Sequence, residues 1–401
     1  SGKTSAAINL MNDDTENNYI FITPFLDEVE RIKKNCPNRK FYDPKIHSKD
    51  GQLYTKFDSL HNLLADNKNI VSTHALFKRA NNETRELINA GNYILILDEV
   101  MQVVEQLDLK KNDLQALKDL DLIHIDENNF VKWNEDKKEY DSRYNDIKEM
   151  ALNNSLIYFR NTILIWNFPV DIFKMFKEVY ILTYLFEAQE QKYYYDYHGL
   201  HYSKYIAEEV DGKHQFTKWN NQSEKQLKEQ LKSKINIYSG KLNAIGDTNY
   251  SLSKTWYNER TPATFKRMKN NLENYFRNIA KSKSNENLWT TFKAYQGKLK
   301  GKGYTKGFLQ CKARATNEYK ERNTLAYTIN LFVNPMIYGF FNEKGINIDQ
   351  DKYALSEMLQ WLWRSAIREH NEINLYIPSK RMRTLLIKWL EDEEIKYIHS
   401  R

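Results

Sequence analysis

Apolar runs of four or five residues alternate with longer stretches in which apolar side chains return every three or four positions. Tyr19-Ile-Phe-Ile-Thr23, Asn69-Ile-Val-Ser-Thr73 and Tyr93-Ile-Leu-Ile-Leu97 have the length and β-branched content of strands buried on both faces. Between them, Leu26, Val29 and Ile32 fall on one face of a helix that Pro37 closes, and a polar helix is expected from about Arg79 to Ala90. The opening Ser-Gly-Lys-Thr-Ser-Ala-Ala-Ile starts another helix. Strand followed by helix in this rhythm predicts an α/β fold, a mainly parallel sheet flanked by helices.

The rhythm breaks from about 102 to 160, a charged stretch expected to be a helical insertion, and returns at Glu178-Val-Tyr-Ile-Leu-Thr183. The aromatic run from Gln191 to Tyr202 reads as a connection, so the boundary is placed there, with one domain over 1–190 and a second over 191–401. A chain of 401 residues suits two cores better than one. The second half restarts with a Lys-rich helix over about 223–233 and a strand at Ile235-Asn-Ile-Tyr238. It closes with a helix from Ala354 to about Arg368, a strand at Ile373-Asn-Leu-Tyr-Ile377 and a helix over about 380–391.

Charge changes this picture locally. The net charge is +7, but residues 261–322 hold 15 basic and four acidic residues, a concentration that suits a polyanion. Phe265, Tyr275, Phe276, Trp289, Phe292 and Tyr295 interleave with the charges, as on a strand-binding surface. Lys298, Lys300 and Lys302, flanked by Gly297, Gly301 and Gly303, are expected on a mobile loop. The two cysteines, Cys36 and Cys311, support neither a disulfide framework nor a zinc site, which makes a cytoplasmic setting the expectation. No apolar run is long enough for a membrane span.

Three segments carry chemistry. Gly2-Lys3-Thr4 is the back half of GxxxxGK[ST], in which loop amides and a helix N-terminus cradle phosphates, the lysine reaches the β/γ oxygens and the hydroxyl binds Mg²⁺. The chain is therefore expected to begin inside that loop. Ser1, Gly2, Lys3, Thr4 and Ser5 are the expected nucleotide contacts, with Thr4 and Asp98 on the metal. Asp98-Glu99 ends the strongest strand, where Asp98 suits Mg²⁺ and Glu99 the attacking water. Gln360, Arg364 and Arg368 recur at i, i+4 and i+8, one face of an expected helix, and an arginine there suits a transferring phosphoryl group.

In their order along nearly the whole chain, these segments resemble a superfamily 2 helicase of the DEAD/DEAH-like type found in phage and mobile elements. Ser1 to Thr4 matches motif I, Phe21 to Val29 motif Ia, Val71 to Phe77 the following strand-contacting motif, and Asp98-Glu99-Val100-Met101 motif II. Ile181 to Tyr184 resembles motif III and Gln360 to Arg368 motif VI, while Arg314-Ala-Thr-Asn317 and Leu325-Ala-Tyr327 are the nearest to motif V. Trp363 stands where motif VI has glycine, and its last arginine falls one residue late, at Arg368.

The resemblance implies two tandem RecA-like P-loop domains, ATP and Mg²⁺ as cofactors, and Glu99, Gln360, Arg364 and Arg368 as catalytic residues. It further implies single- or double-stranded DNA as partner, with RNA and replication proteins as further candidates. Thr23, Pro24, Thr73 and His74 would touch the nucleic-acid backbone, joined by Lys298, Lys300 and Lys302. A duplex translocase or packaging-type ATPase, and a non-catalytic scaffold with the helicase fold, remain alternative readings.

Overall fold

The computed structural model describes residues 2–49, 51–313 and 318–392. They form two compact units. The first comprises the chain up to Trp219 together with Met336–Ile348, and the second comprises Asn220–Pro335 and the residues from Asp349 onward.

In the first unit, α1 (Lys3–Asp13), β1 (Asn18–Thr23), α2 (Leu26–Asn35) and β2 (Phe41–Tyr42) lead into an exposed hairpin, β3 (His47–Lys49) and β4 (Gln52–Tyr54). Then come α3 (Lys56–Ala65), β5 (Asn69–Thr73), α4 (His74–Phe77), α5 (Asn82–Gly91) and β6 (Tyr93–Leu97). Strong capping boxes at Thr55 and Asn81 start α3 and α5, which explains where the chain leaves extended structure. The three strands read from the sequence lie side by side in a parallel sheet of order β12-β6-β1-β5-β2, with β12 at Glu178–Ile181. Phe21 lies level with Ile96 on one side and Val71 on the other. These residues, with Ala7, Met11, Val29 and Ile32, form one buried cluster that fixes α1 and α2 on the sheet.

The segment after β6 differs from the helical insertion expected. Alongside α6 (Lys111–Asp119) and α7 (Asn145–Leu152) it contains five strands: β7 (Val104–Gln106), β8 (Ile123–Ile125), β9 (Val131–Trp133), β10 (Leu156–Phe159) and β11 (Ile163–Asn167). β8 and β9 are short alternating runs set among charges, while β10 and β11 are apolar runs; they pair within the insertion, β8 with β9 and β10-β11-β7 as a three-stranded antiparallel sheet.

After α8 (Val170–Lys174) and β12, the run read as a connection is instead α9 (Glu190–Tyr197), whose Tyr193, Tyr194 and Tyr195 are buried. The hairpin β13 (Tyr205–Val210) and β14 (Lys213–Lys218) follows. Asn9 Nδ2 donates to the His214 carbonyl at 2.9 Å, and Phe216 stacks on Tyr180. These contacts tie the hairpin to α1 and β12, so the first unit runs to Trp219 where the sequence placed its end at 190.

The second unit holds α10 (Asn221–Lys232), β15 (Ile235–Ile237), α11 (Lys254–Asn258), α12 (Pro262–Asn274), β16 (Asn287–Thr290), α13 (Gln296–Leu299) and β17 (Thr324–Tyr327). A crossing helix, α14 (Pro335–Glu343), belongs almost wholly to the first unit, where Arg160 pairs with Glu343 at 2.7 Å and Phe340 meets Phe159 and Tyr197 edge-on. Then come α15 (Gln350–Leu362), β18 (Ile373–Tyr376) and α16 (Lys380–Leu390). The sheet order β15-β18-β17-β16 is parallel throughout.

Two expectations about this half are corrected by packing. Phe265, Tyr275, Phe276, Trp289 and Tyr295 are core residues, Trp289 with no exposed surface, so they cannot stack on bases. The loop around Lys298 to Lys302 is a packed turn: Leu299 and Tyr304 are fully buried, and the Tyr304 hydroxyl donates to the Leu299 carbonyl at 2.5 Å.

Candidate nucleotide-binding site

Register alone brings the acids to a defined place. Ile22 pairs with Leu97, so the next residues, Thr23 and Asp98, leave neighbouring parallel strands together. The Asp98 amide donates to the Ile22 carbonyl at 2.8 Å, and the Thr23 hydroxyl reaches Asp98 Oδ2 at 3.3 Å. On the other carboxylate oxygen, the Thr4 hydroxyl lies 3.4 Å from Oδ1, although 94 residues separate the two in sequence. Thr4 belongs to the first turn of α1, whose N-terminus has no side-chain cap, leaving its early amides for another acceptor.

Gly2 begins that helix at φ 58°, a left-handed conformation that favours glycine. A Cβ there would also lie 2.8 Å from Nδ1 of His214, on β14. The hairpin therefore presses on the turn entering α1, a contact no motif in the sequence announced.

Asp98 is partly buried, among the Thr4 and Thr23 hydroxyls and the charges of Glu99, Glu28 and Lys3. Burial, then the carboxylates of Glu99 and Glu28, push its carboxyl up to about 6, while the Thr23 hydroxyl and Lys3 act against the rise. A change from 3.8 to about 6 corresponds to about 3 kcal/mol of destabilisation of the folded protein near neutrality. A cation held by Asp98 and Thr4 could relieve that cost. Among the described residues no three His, Cys, Asp or Glu side chains converge on one point, so any divalent ion here would complete its shell with water and a ligand's oxygens.

The sign of the pH effect follows. With its folded value raised, Asp98 destabilises the protein above about pH 6, and the penalty disappears as pH falls towards 4. Asp98→Asn is expected to raise apo-protein stability by about 1–3 kcal/mol at pH 8 and by much less at pH 4.5. Denaturant melts at the two pH values measure it, and a variant no more stable than the parent at pH 8 contradicts it.

The remaining expected site residues divide. Lys3 and Ser5 lie in the first turn of α1, partly exposed. Ser1, and Arg314 to Asn317 of the motif V candidate, lie outside the described residues. Glu99 follows Asp98 at φ 76°. Thr23 is fully buried, so its side chain serves Asp98 and is not part of a surface track. Pro24, Thr73 and His74 are partly exposed at the same edge of the sheet, and Thr73 also caps α4 by accepting from the Leu76 amide. In the second unit Lys298, Lys300 and Lys302 are exposed, with Lys298 over the Phe265 ring at 4.7 Å.

The expected continuous helix from 354 to 368 stops at Leu362. Ser365 is extended, the Ala366 amide donates to the Arg322 carbonyl at 2.9 Å, and Ala366–Glu369 forms a separate 3-10 turn. Gln360, Arg364 and Arg368 therefore do not share a helix face. Arg364 is half-buried and Arg368 exposed, and both amide atoms of Gln360 are buried with no hydrogen-bond partner among the described residues.

Residues 229–390 match the YonV C-terminal Rossmann-like domain, and residues 104–166 match the YonV middle domain, the same span as the β7–β11 insertion. The SPbeta prophage-derived protein YonV of Bacillus subtilis (strain 168) is 51% identical over 399 residues, spanning 98% of this chain and 97% of that protein. Solved structures of an XPD helicase and of XPD in its apo form align over 98% of the chain, each with a TM-score of 0.50 and 11% identity, covering 93% and 94% of their chains. At that identity the likeness is one of fold, two RecA-like α/β domains. By its match along almost its entire length, the chain belongs to the YonV family.

Proposed function

We propose that this protein is an ATP-dependent nucleic-acid helicase, acting most naturally on DNA, which couples hydrolysis to strand translocation or unwinding. One observation carries the reading: the Thr4 hydroxyl and the Asp98 carboxylate, from opposite ends of the first hundred residues, meet at 3.4 Å beside an uncapped helix N-terminus. That pairing is what a phosphate-bound Mg²⁺ requires of a P-loop domain. Bound there, the ion would neutralise charge on the β and γ oxygens.

The protein's own groups would do the rest. The α1 amides and Lys3 would hold the phosphates, Ser5 would extend that first turn, and Thr4 and Asp98 would hold the ion. Glu99 would orient a water for in-line attack, and Arg364 would balance charge developing on the transferred group, with Gln360 and Arg368 beside it in sequence. Pro24, Thr73 and His74 supply a row at the carboxyl edge of the sheet suited to a phosphodiester backbone. The exposed hairpin that follows β2 stacks His47 on Tyr54, with ring centroids 4.9 Å apart, a flat surface suited to a base.

The test is ATP hydrolysis by the full-length protein with and without single-stranded DNA; no stimulation at any salt concentration would sink the helicase reading. In the same assay, neutralising Lys298, Lys300 and Lys302 together is expected to weaken strand binding while leaving DNA-free hydrolysis unchanged. The slope of log K against log salt should become shallower by roughly 0.7 per lost phosphate contact, up to about 2. Because these lysines sit on a packed turn, an unchanged slope would remove them from the binding surface outright.

A further inference from the structure

The turn bearing the two acids is held at both ends. In front, the Asp98 amide is fixed to the Ile22 carbonyl at 2.8 Å. Behind, the Met101 amide donates at 3.0 Å to Oε1 of Gln191, on the first turn of α9, in a buried bond. Between these anchors Glu99 sits at φ 76°, a region non-glycine residues seldom occupy and keep only where their surroundings enforce it.

We infer that Gln191 is a positioning residue for Glu99: its side-chain oxygen holds the strained turn so that the carboxylate faces the nucleotide site. The inference rests on the reading of Glu99 as the group that orients water.

Three observations favour this over a core-filling role. Gln191 is 1% exposed, and its amide faces two groups: Oε1 accepts from the Met101 amide, while Nε2, which makes no close hydrogen bond among the described residues, acts on the Tyr195 hydroxyl. The one close hydrogen bond of this buried amide is the one its oxygen accepts from Met101, so the acceptor is the stronger of its two polar contacts. The chain beyond Met101 is secured independently, since the Phe168 amide donates to the Val103 carbonyl at 2.8 Å and the Tyr194 hydroxyl donates to the Phe168 carbonyl at 2.7 Å. Gln191 is thus placed to hold Val100 to Gln102, the three residues between Glu99 and Val103, and α9, anchored by Tyr194, supplies a rigid base for it.

The experiment compares Gln191→Met, Glu99→Gln and the double variant in the full-length protein. Gln191→Met is expected to lower kcat for ATP hydrolysis on the order of 10- to 100-fold, with KM for ATP within about twofold and a modestly lowered melting temperature, because the Met101 amide loses its acceptor. In the Glu99→Gln background it should lower single-turnover hydrolysis no further, because it acts through Glu99. An unchanged kcat, or a loss that multiplies that of Glu99→Gln, would overturn the assignment. Amide exchange at Met101, read without nucleotide, should quicken in Gln191→Met; unchanged protection would overturn the clamp. This last measurement judges Gln191 even in a protein that hydrolyses no ATP, the outcome that removes the helicase reading instead.

Discussion

Replacing Glu99 with Gln is expected to cut ATP turnover by on the order of 10²–10⁴-fold while leaving ATP affinity nearly intact. The amide has the carboxylate's shape, so it keeps the left-handed turn at φ 76° and its two anchors at Ile22 and Gln191. It lacks the negative charge that organises and accepts a proton from an attacking water. Nucleotide contacts fall to α1 and Asp98, which the substitution leaves in place. Removing the Glu99 charge should also ease Asp98, whose raised carboxyl owes part of its rise to that neighbour. Stopped turnover with retained nucleotide binding, by filter or fluorescence titration, is the expected pair of results. Nucleic-acid-stimulated hydrolysis persisting in Glu99→Gln would exclude it as the residue that handles the water.

Arg364→Ala is expected to lower hydrolysis by roughly 10³-fold or more, with a much smaller loss of ATP affinity, because a finger's contact is made mainly in the transition state. The break in backbone after α15 makes this sharper than spacing alone allows. Arg364 is half-buried directly beyond the helix end, whereas Arg368 lies exposed on a separate 3-10 turn drawn towards Arg322. Arg368→Ala should therefore keep most activity. If Arg368→Ala is inactive and Arg364→Ala is not, the finger is the later arginine and the alignment of this segment with motif VI is off by its insertion.

Sequence by itself determined the elements whose signal is local. The runs at Tyr19 and Tyr93 each hold at least four apolar residues in a row, which a sheet covered on both faces buries, and with the shorter run at Asn69 they form adjacent parallel strands. The position of Asp98-Glu99 followed from the strand that precedes them, and the opening residues read as the start of a helix, which begins at Lys3. Signals that depend on partners distant in the chain were not legible. Interleaved aromatics in the basic segment look alike whether they face solvent or a core, and Tyr193 to Tyr195 read as a connection although they build a buried helix. The insertion's strands are three to five residues long and pair only with one another, too short for a periodic signal to stand out from the charged stretches around them.

Tertiary structure alone decided which groups surround the acids. Thr23 was expected on a surface track, but strand register turns its hydroxyl onto Asp98; Gln191 reaches Met101 from 90 residues away; His214 leaves room for nothing larger than Gly2. Each is a contact between segments remote in sequence, set by a few tenths of an ångström in packing. Periodicity can tell a residue that it lies on a buried face, and only the completed fold tells it what it meets there.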